Sequence, residues 1–586
     1  MTWTQIIDPL HNLPLSGLVA AVPIFLIFWS LIKKMKGYQT SLLALGSALL
    51  IAILVYGMPF KLAALSTLHG SLYGLFPICW IIISAVFLFN VTVKSGQFEV
   101  IKNFMASITP DRRLQALLIA FSFGAFLEGA AGFGAPVAIS GAMLVGLGFN
   151  PLYAAGICLI ANTAPVAFGS VGTPIFMASR MSDIPELAIS QMVGRTLPIL
   201  SLMLPLYLVV LMSGFKKSLE VLPAIIVSGA SFAIVQWFTA NYMGPMLPDV
   251  LAGITSIICL LVLLKYWKPE AIWRFSEESA ATVDTELKYS NAQILRAWSP
   301  FIVMTLFVVA WGLPPVKDAL NSIGYLKFQI PGLNGSILKP DESPLAIKAF
   351  DFNYLSAPGT AVILATLISI PLIGISFMDS MRIFIATLKQ LLFPIITIAA
   401  VVGYAFVANY SGMSITMAFV LASTGALFPF FSPILGWLGV FLTGSDTSAN
   451  ALFSKLQANT ADTLGFDPVV TVSANASGGV TGKMISPQSI AVGAAAVGLI
   501  GKESDLFRFT VKHSFIMLFV ICILTCLQVY VMKWIVPAYQ KIDTASASAG
   551  AAVNNAAAGQ GFWYLLILAL AVGLIVLTIS MKKKKN

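Results

Sequence analysis

Charge is what this 586-residue chain has least of: Asp, Glu, Lys and Arg together make 10% of it, against 58% hydrophobic residues. A soluble domain carries about 25% charged residues, so the deficit excludes a water-soluble globular fold. Cysteine is scarce too. The five present (Cys79, Cys158, Cys259, Cys522 and Cys526) lie in or beside apolar segments and form no C-x-x-C pair, so they read as small buried hydrophobes. The three histidines, His11, His69 and His513, are scattered near the edges of apolar runs, with neither metal spacing nor a nucleophile partner. They are expected at the membrane interface. No H-E-x-x-H, G-x-G-x-x-G or Walker pattern is present, which argues against a metal centre, a dinucleotide cofactor and ATP-driven pumping. No metal and no cofactor are expected.

What is there is apolar sequence, end to end. Runs at 18–32, 42–56, 201–212, 254–264, 516–531 and 562–579 approach or, with their flanks, reach the membrane-crossing length, about 20 residues for a helix. Helices satisfy their own backbone in lipid, and the short alternating strands of a β-barrel are missing. The fold class is therefore an all-α polytopic membrane protein. The net charge of +10 does not point to nucleic acid, because the cations sit at the ends of apolar runs. Lys33, Lys34 and Lys36 follow the first run; Lys582, Lys583, Lys584 and Lys585 follow the last. By the positive-inside rule both clusters are cytoplasmic, which puts the N-terminus outside and the C-terminus inside. Lys94, Lys102, Arg112 and Arg113, the pair Lys216 and Lys217, the stretch 268–296 and the stretch 502–512 fall inside on the same reading. The Ala/Ser/Gly-rich segment 544–561 falls outside. No Lys or Arg precedes the first run, so the start reads as a retained span rather than a signal peptide. The loop 313–353 carries four Lys and four acids, so charge does not place it.

Two regions do not read as ordinary spans. One is GAFLEGAAGFGAPVAI at 124–139, followed by 146–175; the other is TGSDTSANALFSKLQANTADTLGFDP at 443–468, followed by 473–490. Both are dense in Gly, Ala, Ser, Thr and Asn, and both hold an acid where the bilayer should be. They also repeat one another. Glu128 precedes Gly148-Phe149-Asn150-Pro151 by twenty residues, and Asp446 precedes Gly465-Phe466-Asp467-Pro468 by nineteen. An Asn (Asn162 or Asn475) and a Thr-Pro or Ser-Pro pair (Thr173-Pro174 or Ser486-Pro487) follow each turn. Gly/Pro-interrupted segments in matching positions mark the binding site of inverted-repeat transporters. Broken helices offer free N–H groups and a positive dipole end to a carboxylate. The alternative reading of GAAGFGA alone is close helix packing through small residues.

An ionised side chain at the bilayer centre costs at least about 2.5–3.5 kcal/mol, so such residues are functional candidates. Glu128 and Asp446 are the candidates for carrying a proton, although Ser445, Thr447 and Ser448 beside Asp446 would equally suit a helix N-cap. Lys483, in GGVTGKMISP, is the candidate cation for an anionic substrate. The substrate-contacting set expected around it is Gly129, Asn162, Thr163, Ser170, Thr173, Ser445, Asn475, Ser477 and Ser486. Lys455 and Asp462 are spaced to pair across two turns. Arg180, Asp183, Glu186 and Arg195 read as a mixed-charge loop facing water.

The stretches GAFLEGAAGFGAPVAI, GLGFNPLYAAGICLI, NTAPVAFG, TGSDTSANALF and SGGVTGKMISPQSI, with VKSGQF at 93–98 and ITPDRRLQ at 108–115, resemble the signature segments of the bacterial L-lactate permease family. The resemblance runs over most of the chain. It implies an inner-membrane symporter that takes up L-lactate, with D-lactate and glycolate, together with a proton. It also implies distant kinship with transporters that carry paired re-entrant hairpins and move elevator-fashion. On that footing we expect about twelve to fourteen membrane elements in two inverted repeats, each with a re-entrant hairpin and a broken helix. The divisions expected are scaffold helices over 1–113, first hairpin and broken helix over 114–213, connecting helices over 214–353, second scaffold over 354–432, second hairpin and broken helix over 433–536, and a C-terminal linker and helix over 537–586. The partners implied are a small carboxylate, a proton and membrane lipid, with a homodimer open. Sodium coupling or anion exchange on the same scaffold remains the alternative. A channel or an intramembrane protease is the third reading, but no Ser–His or paired-Asp arrangement is visible for the latter.

Overall fold

The computed structural model describes residues 2–33, 35–132, 134–275, 289–347 and 349–540; the expected last span at 562–579 and its lysines lie outside them. Ten helices among the described residues are long and apolar enough to cross a membrane, or eleven if one bent pair is counted as a span. The protein is a multi-pass helical membrane protein. The four short strands make two small pairings, Trp3–Thr4 with Ile337–Leu338 in parallel and Leu326–Phe328 with Phe350–Phe352 antiparallel. The first pairing places the loop that charge left unassigned on the face that holds the N-terminus.

Both Gly-rich regions fold as a hairpin followed by an interrupted helix. The first hairpin runs up Arg112–Ala130, entirely enclosed by protein, turns through left-handed Gly132 and Gly134, and returns along Ala135–Gly146. The second runs along Phe428–Thr443, turns at left-handed Gly444, and returns along Asp446–Leu464. The sequence TGSDTSANALF is thus the apex and second arm of a hairpin whose first arm begins at Phe428. After each hairpin the GF[ND]P turn has one chemical explanation. Gly148 and Gly465 take positive φ and end one helix. Asn150 and Asp467 then cap the next helix, accepting from Leu152 N at 2.9 Å and Val469 N at 3.0 Å, with Pro at its first position.

The interruptions differ. In the first region Pro151–Ala161 and Val166–Ser182 meet at 65°, and Ser170, Val171 and Gly172 are left-handed in succession. A β-branched Val in that conformation is uncommon. In the second, Pro468–Lys483 stops at Met484-Ile485, and Ser486 caps Pro487–Ala496. The regions also brace each other reciprocally. Ala135–Gly146 packs on Pro487–Ala496, and Asp446–Leu464 packs on Gly169–Ser182. Their bases lie at opposite ends of the 28-residue helix Glu503–Tyr530. Phe509 meets Tyr153 beside the first hairpin's base, whereas Tyr530 bonds Ala426 O and meets Phe466 at the second.

At the first base ITPDRRLQ makes a buried clasp. Arg113, unexposed, bonds Asp111, Glu220, Lys217 O and Ala271 O, drawing three loops together. Two expectations are corrected here. His69 and His513 are enclosed in protein rather than open to an interface: they are 0% and 4% exposed. His69 packs among Tyr73, Phe406 and Tyr410, and His513 bonds the Tyr207 hydroxyl. Nor do Arg180, Asp183 and Arg195 simply face water. They are partly buried and engage Asp351, Lys455 and Asn241 respectively. Lys455 therefore reaches across to Asp183 at 2.6 Å, rather than along its own helix to Asp462.

Small residues do pack helices, in the second region. A Cβ on Gly436, Gly478 or Gly482 would strike Asn475 O, Pro433 O or Trp437 O of the facing helix. We expect Gly478→Ala to lower stability by about 1–3 kcal/mol through overpacking. Gly146→Ala, where a Cβ meets open space, should leave it unchanged or slightly raised. Thermal unfolding of the detergent-solubilised variants checks this; equal effects at the two positions would count against the packing account.

Candidate functional site

Both hairpin apices and both interruptions meet at one cavity of about 410 Å3. Hairpin one supplies Glu128 and Gly134, its interruption Gly169 and Ser170, hairpin two Gly444, Ser445 and Asp446, and the second interruption Lys483. The opposite wall is the middle of helix Phe377–Ser411, at Phe393 and Thr397, and the rim includes exposed Lys36.

Lys483 Nζ lies 2.6 Å from Glu128 Oε1, with the side chains 11% and 3% exposed. Glu128 is fixed by close backbone approach: a Cβ on Gly169 would come 2.6 Å from its Oε1. Asp446 occupies the first turn of its helix, but the cap is Ser445, which accepts from Ser448 N at 3.3 Å. The Asp446 carboxylate is left to face the cavity, with Oδ2 taking a 3.4 Å bond from Asn450. Glu128 Oε2 and Asp446 Oδ1 are buried with no hydrogen-bond partner among the described residues. Buried polar atoms are normally satisfied, so these two oxygens mark where a proton, an ion or a ligand donor belongs.

A third acid, Asp249, was not foreseen. It lies behind Glu128: a Cβ on Gly129 would come 2.8 Å from Asp249 Cβ, and the charges of Glu128 and Lys483 both act on it. Its Oδ1 accepts from Gln236 at 3.3 Å, and the same Gln236 amide donates to Ala164 O inside the first interruption at 3.0 Å. In the sequence Asp249 stands at the first turn of an apolar span, where an acid merely complements the helix dipole. Only the fold brings it against Glu128.

Of the residues expected to form the site, Glu128, Ser170, Ser445, Asp446 and Lys483 line the cavity. The others stand behind it. Gly129 gives Asp249 room. Thr173 donates to Ser170 O at 2.5 Å, and Ser170 Oγ donates to Ala131 O at 2.9 Å, tying apex to interruption. Asn162 and Thr163 sit in the first interruption, with Asn162 Oδ1 and Thr163 Oγ1 unpartnered among the described residues. Asn475 lies mid-helix, not at an interruption, and donates to Asn450 Oδ1 at 2.9 Å; Ser477 is on the same helix. Ser486 is occupied as a cap.

A multi-pass helical body with irregular backbone and ionisable side chains converging on a cavity at membrane depth defines a transport protein, since such backbone survives in a bilayer only inside protein or beside a wet cavity. The comparisons narrow the class. A family profile described as L-lactate permease matches residues 16–532. The chain is 55% identical to the L-lactate permease of Bacillus subtilis over 92% of this chain and 100% of that one. It is 50% identical to the glycolate permease GlcA of Escherichia coli over 91% and 99%. The YdaH transporter of Alcanivorax borkumensis aligns at 13% identity and a TM-score of 0.45, covering 80% of this chain and 89% of that one. The chain belongs to the L-lactate permease family of membrane transporters.

One buried cation serves three acids, so its loss should matter more than the loss of any one acid. Lys483→Met leaves Glu128, Asp446 and Asp249 without a counter-charge, and we expect it to cost about 3–5 kcal/mol. Glu128→Gln leaves Lys483 lining the same cavity as Asp446 and should cost distinctly less. Unfolding midpoints of the two variants decide; the reverse order would mean that Asp446 does not share the cation.

Proposed function

We propose that this protein imports L-lactate, and with it D-lactate and glycolate, together with a proton across the bacterial inner membrane. The observation that carries the reading is the Lys483–Glu128 pair, 2.6 Å long, on the wall of the central cavity. A monocarboxylate needs a cation in a low-dielectric site, and the nearest one is already neutralised. Protonation of Glu128 frees Lys483; the substrate carboxylate then takes its place. Either event alone leaves an unmatched charge in the site, whereas both together leave the balance unchanged. Proton and substrate therefore favour each other's binding, and the coupling is reciprocal. Ser170 and Ser445 offer hydroxyls to the 2-hydroxyl group, and Asp446 and Asp249 are the further acids through which a proton can enter or leave.

The same reading treats the two hairpin regions as inverted repeats. They enter from opposite faces, brace each other reciprocally and carry the cavity between them, and they move as one body against the helix Phe377–Ser411. The face with the Arg113 clasp, Lys216 and Lys217 is cytoplasmic on the positive-inside rule, and the N-terminal face is external.

The test is uptake of labelled L-lactate by proteoliposomes in sodium-free buffer, with and without an inward proton gradient. Gradient-driven, saturable accumulation that collapses with a protonophore is expected. Glu128→Gln should lose gradient-driven accumulation while keeping lactate counterflow. Lys483→Met should lose both, with apparent affinity weakened roughly 30-fold or more. Uptake that needs sodium or an internal anion would overturn the proton coupling, and no uptake at all would overturn the substrate.

A further inference from the structure

A second cavity, of about 270 Å3, lies on the N-terminal face and is lined by Arg180, Asp183, Lys339 and Lys455 together with Gln5, Tyr73, Tyr410 and Asn459. It is joined to the central cavity by two helices packed side by side. Gly169–Ser182 carries Ser170 at one end and Arg180 at the other. Asp446–Leu464 carries Asp446 at its start and Lys455 nine residues on, about 14 Å along the axis. At the outer cavity itself these helices are locked by the ion pair Lys455–Asp183 at 2.6 Å, Asp183 standing just past the end of Gly169–Ser182. The roof is the loop bearing Lys339, which holds the first strand of the chain.

Resting on the reading of the protein as a hydroxy-acid importer, we propose that this outer cavity is a separate binding site for the same small 2-hydroxy monocarboxylate. Three cations face it against one acid. Lys339 is exposed at its rim. Arg180 holds Asp351 only at 3.6 Å, while Asp351 also accepts the Tyr325 hydroxyl at 2.6 Å, so the guanidinium retains donors for an incoming carboxylate. Gln5 supplies an acceptor for the hydroxyl: its Nε2 is committed to Asn409 O and Tyr410 O, but its Oε1 is buried with no partner among the described residues. Cation for carboxylate and acceptor for hydroxyl together distinguish a hydroxy acid from a simple anion. The anion held here sits beside the Lys455–Asp183 pair, at the other end of Gly169–Ser182 from Ser170 and the central cavity.

Asn459→Cys places a thiol in this cavity, and the full chain reconstituted in liposomes is treated with a negatively charged methanethiosulfonate. The unsubstituted chain, whose own cysteines are buried or half-buried, is the control. L-Lactate at twice its dissociation constant should slow modification about threefold, as two-thirds occupancy requires. The slowing should persist when Lys483→Met removes the central cation. It should weaken with propionate, which lacks the hydroxyl, and disappear with Lys339→Gln, an exposed position that does not threaten folding. Protection that vanishes with Lys483→Met would show lactate acting only from the central site and would overturn the proposal. Absence of protection in a chain that still transports lactate overturns the outer site alone. Absence of both protection and transport overturns it along with the substrate reading.

Discussion

A lysine paired with one carboxylate and set near two more, on the wall of a cavity enclosed by helices, sets the terms for everything around it. Lys483 can balance one carboxylate. Charges that are not balanced in a low-dielectric interior are expensive, so the remaining acids must hold a proton or borrow a cation. The backbone follows from this requirement. Lys483 and the three acids come from four different helices, and at least two of those helices must end at the site for the groups to converge without burying long stretches of unsatisfied peptide. Glu128 lies two residues before its helix ends at Ala130, Asp446 opens its helix, and Lys483 closes its own.

The glycine pattern has two separate causes, and the structure divides them. At Gly148, Gly465, Gly132 and Gly444 the backbone itself turns through positive φ, which glycine adopts without strain. At Gly436, Gly478 and Gly482 the conformation is ordinary, and the missing side chain lets two helices approach until carbonyl oxygens touch the opposite Cα. Turn formation and close packing therefore coexist in the same small-residue segments.

Much of this was legible in the sequence because it rests on local chemistry. The apolar runs at 42–56, 201–212, 254–264 and 516–531 fall on membrane-length helices, whereas the run at 18–32 is divided at Ala21 into two short ones. The GF[ND]P turns announced left-handed glycine, Asx cap and helical proline, and isolated acids in small-residue surroundings pointed to Glu128 and Asp446. What was not legible depended on contacts between distant segments. Asp249 reads as an unremarkable first-turn acid until Gly129 is placed against it, and Arg180 and Asp183 read as a wet loop until Lys455 arrives from 272 residues away. Asn162 and Asn475 match in order along the chain but not in place, since one ends a helix and the other sits inside one. His69 was misjudged because its burial is created by rings from a helix more than 300 residues later.

The first strand has a temporal meaning as well as a spatial one. Gln5 bonds the carbonyls of Asn409 and Tyr410, a separation of 404 residues, and Trp3–Thr4 pairs with Ile337–Leu338. At synthesis rates of about 5–20 residues per second, the leading segment waits on the order of 20–80 s for those partners. For that interval the earliest helices are in the membrane with their leading end untied. This leading segment is thus fastened only by chain made hundreds of residues after it, and its fastening reports that the second half has arrived.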